Sequence, residues 1–239
     1  MPTVKFHPSE YLLSEFVQGR LEPSMALMVS AHCDMCSECQ DKCHELTLLA
    51  ADEALQAPKT RSLETFSHFP VEKQETYMQM MQNITELPAL QTHQNFKCSA
   101  EPKESMLDLD GKKFMLPRSL RRYAFKTQGW KKLVGKLWQA QVDLGGNSRA
   151  EFIYMEQGGS VPEHTHRGNE VTLVINGEFE DGVNCYSNGD LVMLDGQHTH
   201  APKAKDDEGC LVFSIVDQPL HFTSGLARLL NPFSHLFYK

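Results

Sequence analysis

His164 and His166, two residues apart, are the side chains in this sequence best spaced to do chemistry together. On a strand, alternate side chains fall on one face, so both imidazoles would converge on a single ion. Glu170 lies four residues on, opens an apolar stretch, and can turn its carboxylate back toward the same point. His200 follows a later apolar stretch, just beyond a turn, and can close the site; His198 is the alternative fourth ligand. Three imidazoles and one carboxylate suit Zn or another divalent transition metal and do not choose among them.

A second constellation stands near the N-terminus, where His32, Cys36 and Cys39 form H-x3-C-x2-C. If one helix ends near His32 and the next starts at Ser37, Cys36 sits in the turn and Cys39 in the first helical turn. The three could then converge at a helix junction. A fourth ligand must come from elsewhere, and His7 lies just before the first helix. Mixed thiolate and imidazole ligation is the soft, tetrahedral environment that structural Zn favours. A metal would also staple a small helical unit whose own core is thin. Cys33 and Cys43 read as small core hydrophobes or oxidisable spares, and His44 as an exposed residue.

The elements that must carry these residues divide into helices first and strands second. Pro8 to Gly19 has a capping serine, apolar spacing at i, i+4 and a glycine stop. A second helix should begin at Pro23, where a missing N–H costs nothing, and run to about His32. Ser37 with Gln40 resembles a capping box opening a third helix through Ala50, and Val71 to Ile84 suits a fourth. Leu87 to Pro117 reads as a linker whose end, Leu107-Asp108-Leu109, could form an edge strand of the C-terminal sheet. Beyond it come short apolar runs, Val171 to Ile175, Asp190 to Leu194 and Leu211 to Val216, punctuated by turns such as Asn176-Gly177. A short helix could close the chain over Ser224 to Leu230. The expected fold class is α+β in two domains, a helical unit over 1–90 and a β-sandwich or barrel over 123–239, joined by a linker over 91–122.

Composition narrows the function. The formal net charge of −8 weighs against a broad basic face for nucleic acid, so no direct nucleic-acid partner is expected. It leaves room for a basic protein partner. The basic patches Arg118 to Arg122 and Lys131-Lys132 are short and read as solvated surface. No apolar run is long enough for a membrane helix, and the first residues lack the layout of a secretion signal, so no membrane partner and a cytoplasmic location are expected. Seven cysteines, four of them between Cys33 and Cys43, suit metal or redox chemistry better than a disulfide framework in a reducing compartment.

Gly158, His164, His166, Glu170 and Gly177 resemble the first cupin motif, G-x5-H-x-H-x3-E-x6-G, at every fixed position. Against the second motif, G-x5-P-x-G-x2-H-x3-N, Gly189 and His200 fall correctly, while Asp195, Gln197 and Ala204 replace Pro, Gly and Asn. The helical half, with its His-Pro-Ser-Glu-Tyr-Leu-Leu-Ser-Glu-Phe-Val-Gln-Gly run, is similar to the zinc-binding anti-sigma domain, in which H-x3-C-x2-C and an upstream His hold one Zn. Joined to a C-terminal cupin, it resembles the ChrR family of anti-sigma factors. That resemblance implies a sigma factor of RNA polymerase as partner, held by the helical domain. It also implies a cupin sensor that permits release under photo-oxidative stress, such as singlet oxygen or hydroperoxide. The same His and Glu set serves metal-dependent dioxygenases and isomerases among cupins, so an enzyme is the alternative, and a storage-type binding module a further one.

Overall fold

The computed structural model describes residues 3–55, 71–86 and 106–223, apart from 128, 134–135, 146–148, 167, 206–207 and 219. The segment 87–105 and the helix expected over 224–230 lie outside the described residues. Three helices open the chain: α1 (Glu10–Val17), α2 (Pro23–Cys33) and α3 (Ser37–Leu55). Ser9 caps α1 by accepting the Leu12 N–H at 3.2 Å, and Gly19 takes the left-handed conformation that ends it. Pro23 is the first residue of α2, as its missing N–H predicts. Ser37 is the first helical residue of α3 rather than the cap ahead of it. The fourth helix, α4, spans Val71–Thr85.

The strands begin at the end of the stretch read as a linker, where a strand over Leu107 to Leu109 is expected. β1 (Met106–Leu109) and β2 (Lys112–Met115) form a hairpin whose turn residues, Asp110 and Gly111, both have positive φ. The hairpin pairs with itself and not with the larger sheet after it, so Leu107 to Leu109 is not an edge strand of that sheet. Its apolar side chains, with a single 3-10 turn (Arg118–Leu120) and the short α5 (Arg121–Ala124), instead pack onto the sheet's face.

That sheet has six antiparallel strands. In sheet order they are β10 (Leu191–Leu194), β7 (Glu170–Asn176), β13 (Cys210–Val216), β5 (Arg149–Met155), β4 (Leu137–Val142) and β3 (Lys131–Leu133). It is buried on both sides, which is why β7 and β13 read as unbroken apolar runs rather than alternating ones. Val171, Leu173, Ile175, Phe213 and Ile215 face α2 and the hairpin, meeting Leu27, Met28, Ala31, Phe114 and Leu116. Val174 and Val212 face the other way, into an interior closed by Phe179, Tyr186 and Ala204. Those three belong to a small sheet of β8 (Phe179–Glu180), β9 (Cys185–Tyr186) and β12 (Lys203–Ala204). A third sheet joins β6 (His164–His166), β11 (Thr199–His200) and β14 (Leu220–Phe222). At the Asn176-Gly177 turn, φ is +86° and an added Cβ would stand 2.1 Å from the Gly209 carbonyl oxygen, so only glycine fits.

Packing groups the described residues up to Thr47 with those from Met106 onward, while those from Leu48 to Glu86 belong to a second compact unit. Within the first unit a small core of Leu12, Leu13, Val29, Cys36 and Cys39 knits α1, α2 and the start of α3 together.

Candidate metal centres

The strand-borne cluster assembles as the two-residue spacing requires. His164 and His166 end β6 on one face, and His200 on β11 lies opposite His164 in the register. Glu170 opens β7. His200 Nε2 stands 3.0 Å from Nε2 of both His164 and His166, and Glu170 Oε2 is 2.6 Å from His166 Nε2. All four ligand atoms lie within 4.8 Å of one another. His164, His166 and His200 are buried. His198 is exposed and pairs through Nδ1 with Asp195 at 2.7 Å, so the structure brings His200 and not His198 to the cluster.

The donor set fits a cation. His164 Nδ1 donates to the Pro162 carbonyl at 2.8 Å, which leaves its Nε2 lone pair aimed at the centre. Three imidazole nitrogens at such contacts can share protons only pairwise, whereas one divalent ion satisfies all of them together. Burial, with the His200 charge adding to it, pushes the His164 imidazole down to about 4, and His200 moves the same way, mainly through burial. Burial alone would raise Glu170. The His166 hydrogen bond and the surrounding imidazoles outweigh it and hold the carboxyl at about 2. His164 and His200 are therefore held toward the neutral form beside an ionised Glu170, the protonation that metal ligands need.

The groups that orient Glu170 come from the same strands. Thr172 Oγ1 donates to Glu170 Oε1 at 2.7 Å and lies 2.7 Å from Ser214 Oγ, fixing one carboxylate oxygen and leaving the other for the centre. Thr172 sits two residues from Glu170, hence on the same strand face, a relation the sequence could have shown. Beyond it opens an interior cavity of about 60 Å³, walled by apolar side chains such as Ile153, Val192, Leu194 and Val212, with Glu151 among its few polar groups. Burial raises the Glu151 carboxyl above its ordinary range, opposed by Arg149, 3.4 Å away, and by a hydrogen bond from Gln139.

The helical cluster also comes together. His32 occupies the last turn of α2, Cys36 the turn, and Cys39 the first turn of α3. His7 Nδ1 lies 3.4 Å from Sγ of both Cys36 and Cys39, and the four ligand atoms fall within 4.8 Å of one another. His32 is fully buried; its Nδ1 donates to the Gly189 carbonyl at 2.8 Å, while Nε2 has no hydrogen-bond partner. An orphaned buried nitrogen aimed at two thiols is costly without a cation and well placed with one. Burial lowers His32 to about 4, and burial with the neighbouring Cys36 pushes the Cys39 thiol up to about 12. A bound cation reverses that preference and favours the thiolate.

Both histidines of this cluster are held by the strand half. Asp190 is fully buried and accepts the backbone N–H groups of Lys5 (2.6 Å), Phe6 (3.0 Å) and Ser187 (2.7 Å). The Leu191 N–H returns a bond to the Phe6 carbonyl at 3.0 Å, so the segment leading to His7 is docked on both sides. Its neighbour Gly189 supplies the acceptor for His32. No local sequence pattern marks Asp190 as the clamp on the N-terminal segment, because Lys5 and Phe6 are 185 and 184 residues away.

Residues 125–218 match the ChrR cupin-like domain. Over 232 residues, 97% of this chain and 98% of the relative, the sequence is 27% identical to the anti-sigma-E factor ChrR of Cereibacter sphaeroides. The chain carries a ChrR cupin-like domain and is similar to that anti-sigma factor along nearly its whole length. The fold agrees with the crystal structure of Rhodobacter sphaeroides SigE in complex with the anti-sigma ChrR, at TM-score 0.63 and 23% identity, covering 90% of this chain and all of that one. The ChrR cupin-like match covers His164, His166, Glu170 and His200, and the longer alignment reaches across nearly the whole chain.

Proposed function

We propose that this chain is an anti-sigma factor, binding a sigma factor of the extracytoplasmic-function type and keeping it from RNA polymerase. One observation carries this reading: the likeness to a named anti-sigma factor extends over nearly the whole of both chains, and is not confined to the cupin-like domain. The helices add physical support. Leu48, Leu49 and Leu55 on α3, and Tyr77, Met78, Met80, Met81 and Ile84 on α4, are large apolar side chains left exposed. Adaptable methionine-rich helix surfaces of this kind suit protein partners. The net charge of −8 suits a partner with basic DNA-binding faces.

In this reading the chain divides by role into a sigma-binding half over 1–90 and a sensing half over 123–239. His7, His32, Cys36 and Cys39 would hold Zn, which would tie the N-terminal segment, α2 and α3 together. His164, His166, Glu170 and His200 would hold Zn or another divalent transition metal, with Thr172 and Ser214 orienting the carboxylate. Release of the sigma factor under photo-oxidative stress, by singlet oxygen or hydroperoxide, would follow from oxidation of side chains near the second metal. Gly189 and Asp190 pass any displacement to the first cluster, because they hold both of its histidines. The site of action is the cytoplasm, where the sigma factor and polymerase meet.

The test is co-expression with sigma factors of the extracytoplasmic-function type. A stable complex that blocks transcription by the holoenzyme is expected, together with release on illumination with a singlet-oxygen sensitiser. Failure to bind any sigma factor would overturn the reading. The second reading, a metal-dependent dioxygenase or isomerase, is favoured by the cavity beside the strand-borne cluster and the protonatable Glu151 in its wall. Turnover of a small substrate lost on both His164→Ala and Glu151→Gln would support it.

A further inference from the structure

Four cysteines crowd the junction of α2 and α3, and the first centre accounts for only two of them. Cys36 and Cys39 face His7, while Cys33 and Cys43 form a separate pair whose Sγ atoms lie 3.8 Å apart. Cys33 is the last residue of α2 and Cys43 lies in the second turn of α3, so the pair bridges two helices across the turn that carries Cys36. Both are half-buried, at the margin of the small core around Leu12, Leu13 and Val29 rather than deep inside it. We propose that Cys33 and Cys43 are a redox-active dithiol, oxidised to an intramolecular disulfide by small-molecule disulfides of the glutathione type.

The geometry favours this pair over the ligand cysteines. Sulfurs bound to a metal share their lone pairs with it and are shielded from exchange, whereas Cys33 and Cys43 face each other outside the ligand set; burial raises both thiols, which slows their attack but leaves them the exchangeable pair. Forming the bond brings the sulfurs to roughly 2 Å, a movement within the reach of side-chain rotation. The chemistry balances without a further oxidant. One thiolate attacks a sulfur of the small disulfide, forming a mixed disulfide and expelling one small thiolate. The second cysteine attacks the protein sulfur of that mixed disulfide and expels the other small thiolate. The protein loses two electrons and two protons, and the small disulfide gains them as two thiols. The product closes a loop around Cys36 and Cys39 and ties the end of α2 to α3. That staple changes how freely the two ligands can leave their places.

The proposal rests on the reading of Cys36 and Cys39 as metal ligands, and the experiment separates the two. The full metal-loaded chain is equilibrated with mixtures of oxidised and reduced glutathione, alkylated, digested and mapped by mass, with metal content measured on the same samples. Expected is one internal disulfide joining Cys33 to Cys43, formed while the metal content of the first centre stays constant. Cys33→Ser and Cys43→Ser should each abolish it, leaving a free thiol or a glutathione adduct on the other cysteine. A disulfide between Cys36 and Cys39, or full alkylation of Cys33 and Cys43 under the most oxidising mixture, would overturn the proposal. A protein purified without metal at the first centre would overturn the ligand reading instead, and the disulfide map of the wild-type chain would still decide the Cys33–Cys43 pair.

Discussion

Replacing Asp190 with alanine should damage the helical metal centre from the strand side of the molecule. The Asp190 side chain is fully buried and accepts hydrogen bonds from Lys5 N, Phe6 N, Ser187 N and, at 3.3 Å, Ser187 Oγ. Hydrogen bonds to a charged acceptor contribute about 1.5–3 kcal/mol each, and a buried donor left unpaired costs a comparable amount. Lys5 is exposed, so water can take over part of its loss. Discounting for that and for shared geometry, the variant should lose about 3–5 kcal/mol, in the range that single substitutions seldom reach. It should also free the segment bearing His7, one of the four candidate ligands of the first centre. Urea unfolding of the full chain measures the first effect, and competition with a chelator for bound metal measures the second. The expected outcome is a lower midpoint at unchanged slope, with metal lost from the first centre at least tenfold more readily. A destabilisation below about 1 kcal/mol with unchanged metal retention would refute the clamp, since it is no larger than an average substitution produces.

Elemental analysis of the purified chain should find two metal equivalents, one lost in His32→Ala or Cys36→Ala and the other in His164→Ala; loss of both from either variant would mean that the centres are not independent sites. Thr172→Val removes the hydrogen bond that orients Glu170, and should weaken metal binding at the strand-borne centre by about 10-fold to 100-fold while sparing the first, as read by chelator competition. The metal-stripped chain should lose stability on acidification. His164 and His32 titrate near 4 when folded and near 6.5 when unfolded, so the unfolded chain binds more protons between those values and stability falls as pH drops through that window. Glu170, held at about 2 against an ordinary 4.5, extends the loss below pH 4.5. A urea midpoint that stays level or rises from pH 6.5 to 4.5 would contradict the burial of neutral imidazoles.

Much of both centres was legible in the sequence because their spacing is set by local geometry. His164 and His166 converge because a strand repeats every two residues. His32, Cys36 and Cys39 converge because they flank a helix–turn–helix junction at positions four and three apart. The helix starts at Ser9 and Pro23 were legible for the same reason, since capping depends on the residues next to it. The choice of His200 over His198 was not local. Both stand near one turn, and only the pairing of β11 with β6 carries His200 opposite His164.

The tertiary structure alone decided how the helices meet the strands. The apolar face of α2 fits a small helical core as well as it fits a sheet, and periodicity cannot say which. Packing gives Val29 to the helices and Leu27, Met28 and Ala31 to the sheet. β7 and β13 read as apolar runs because both faces are buried, and a run without alternation does not reveal which side each residue takes. Asp190 and the Gly189 carbonyl have no signature in the chain for a related reason. Each depends on where separate stretches of backbone come to rest, 184 residues apart for Phe6 and Asp190 and 157 for His32 and Gly189. Sequence determined which residues could bind metal; folding determined that the strand half would hold both histidines of the helical centre.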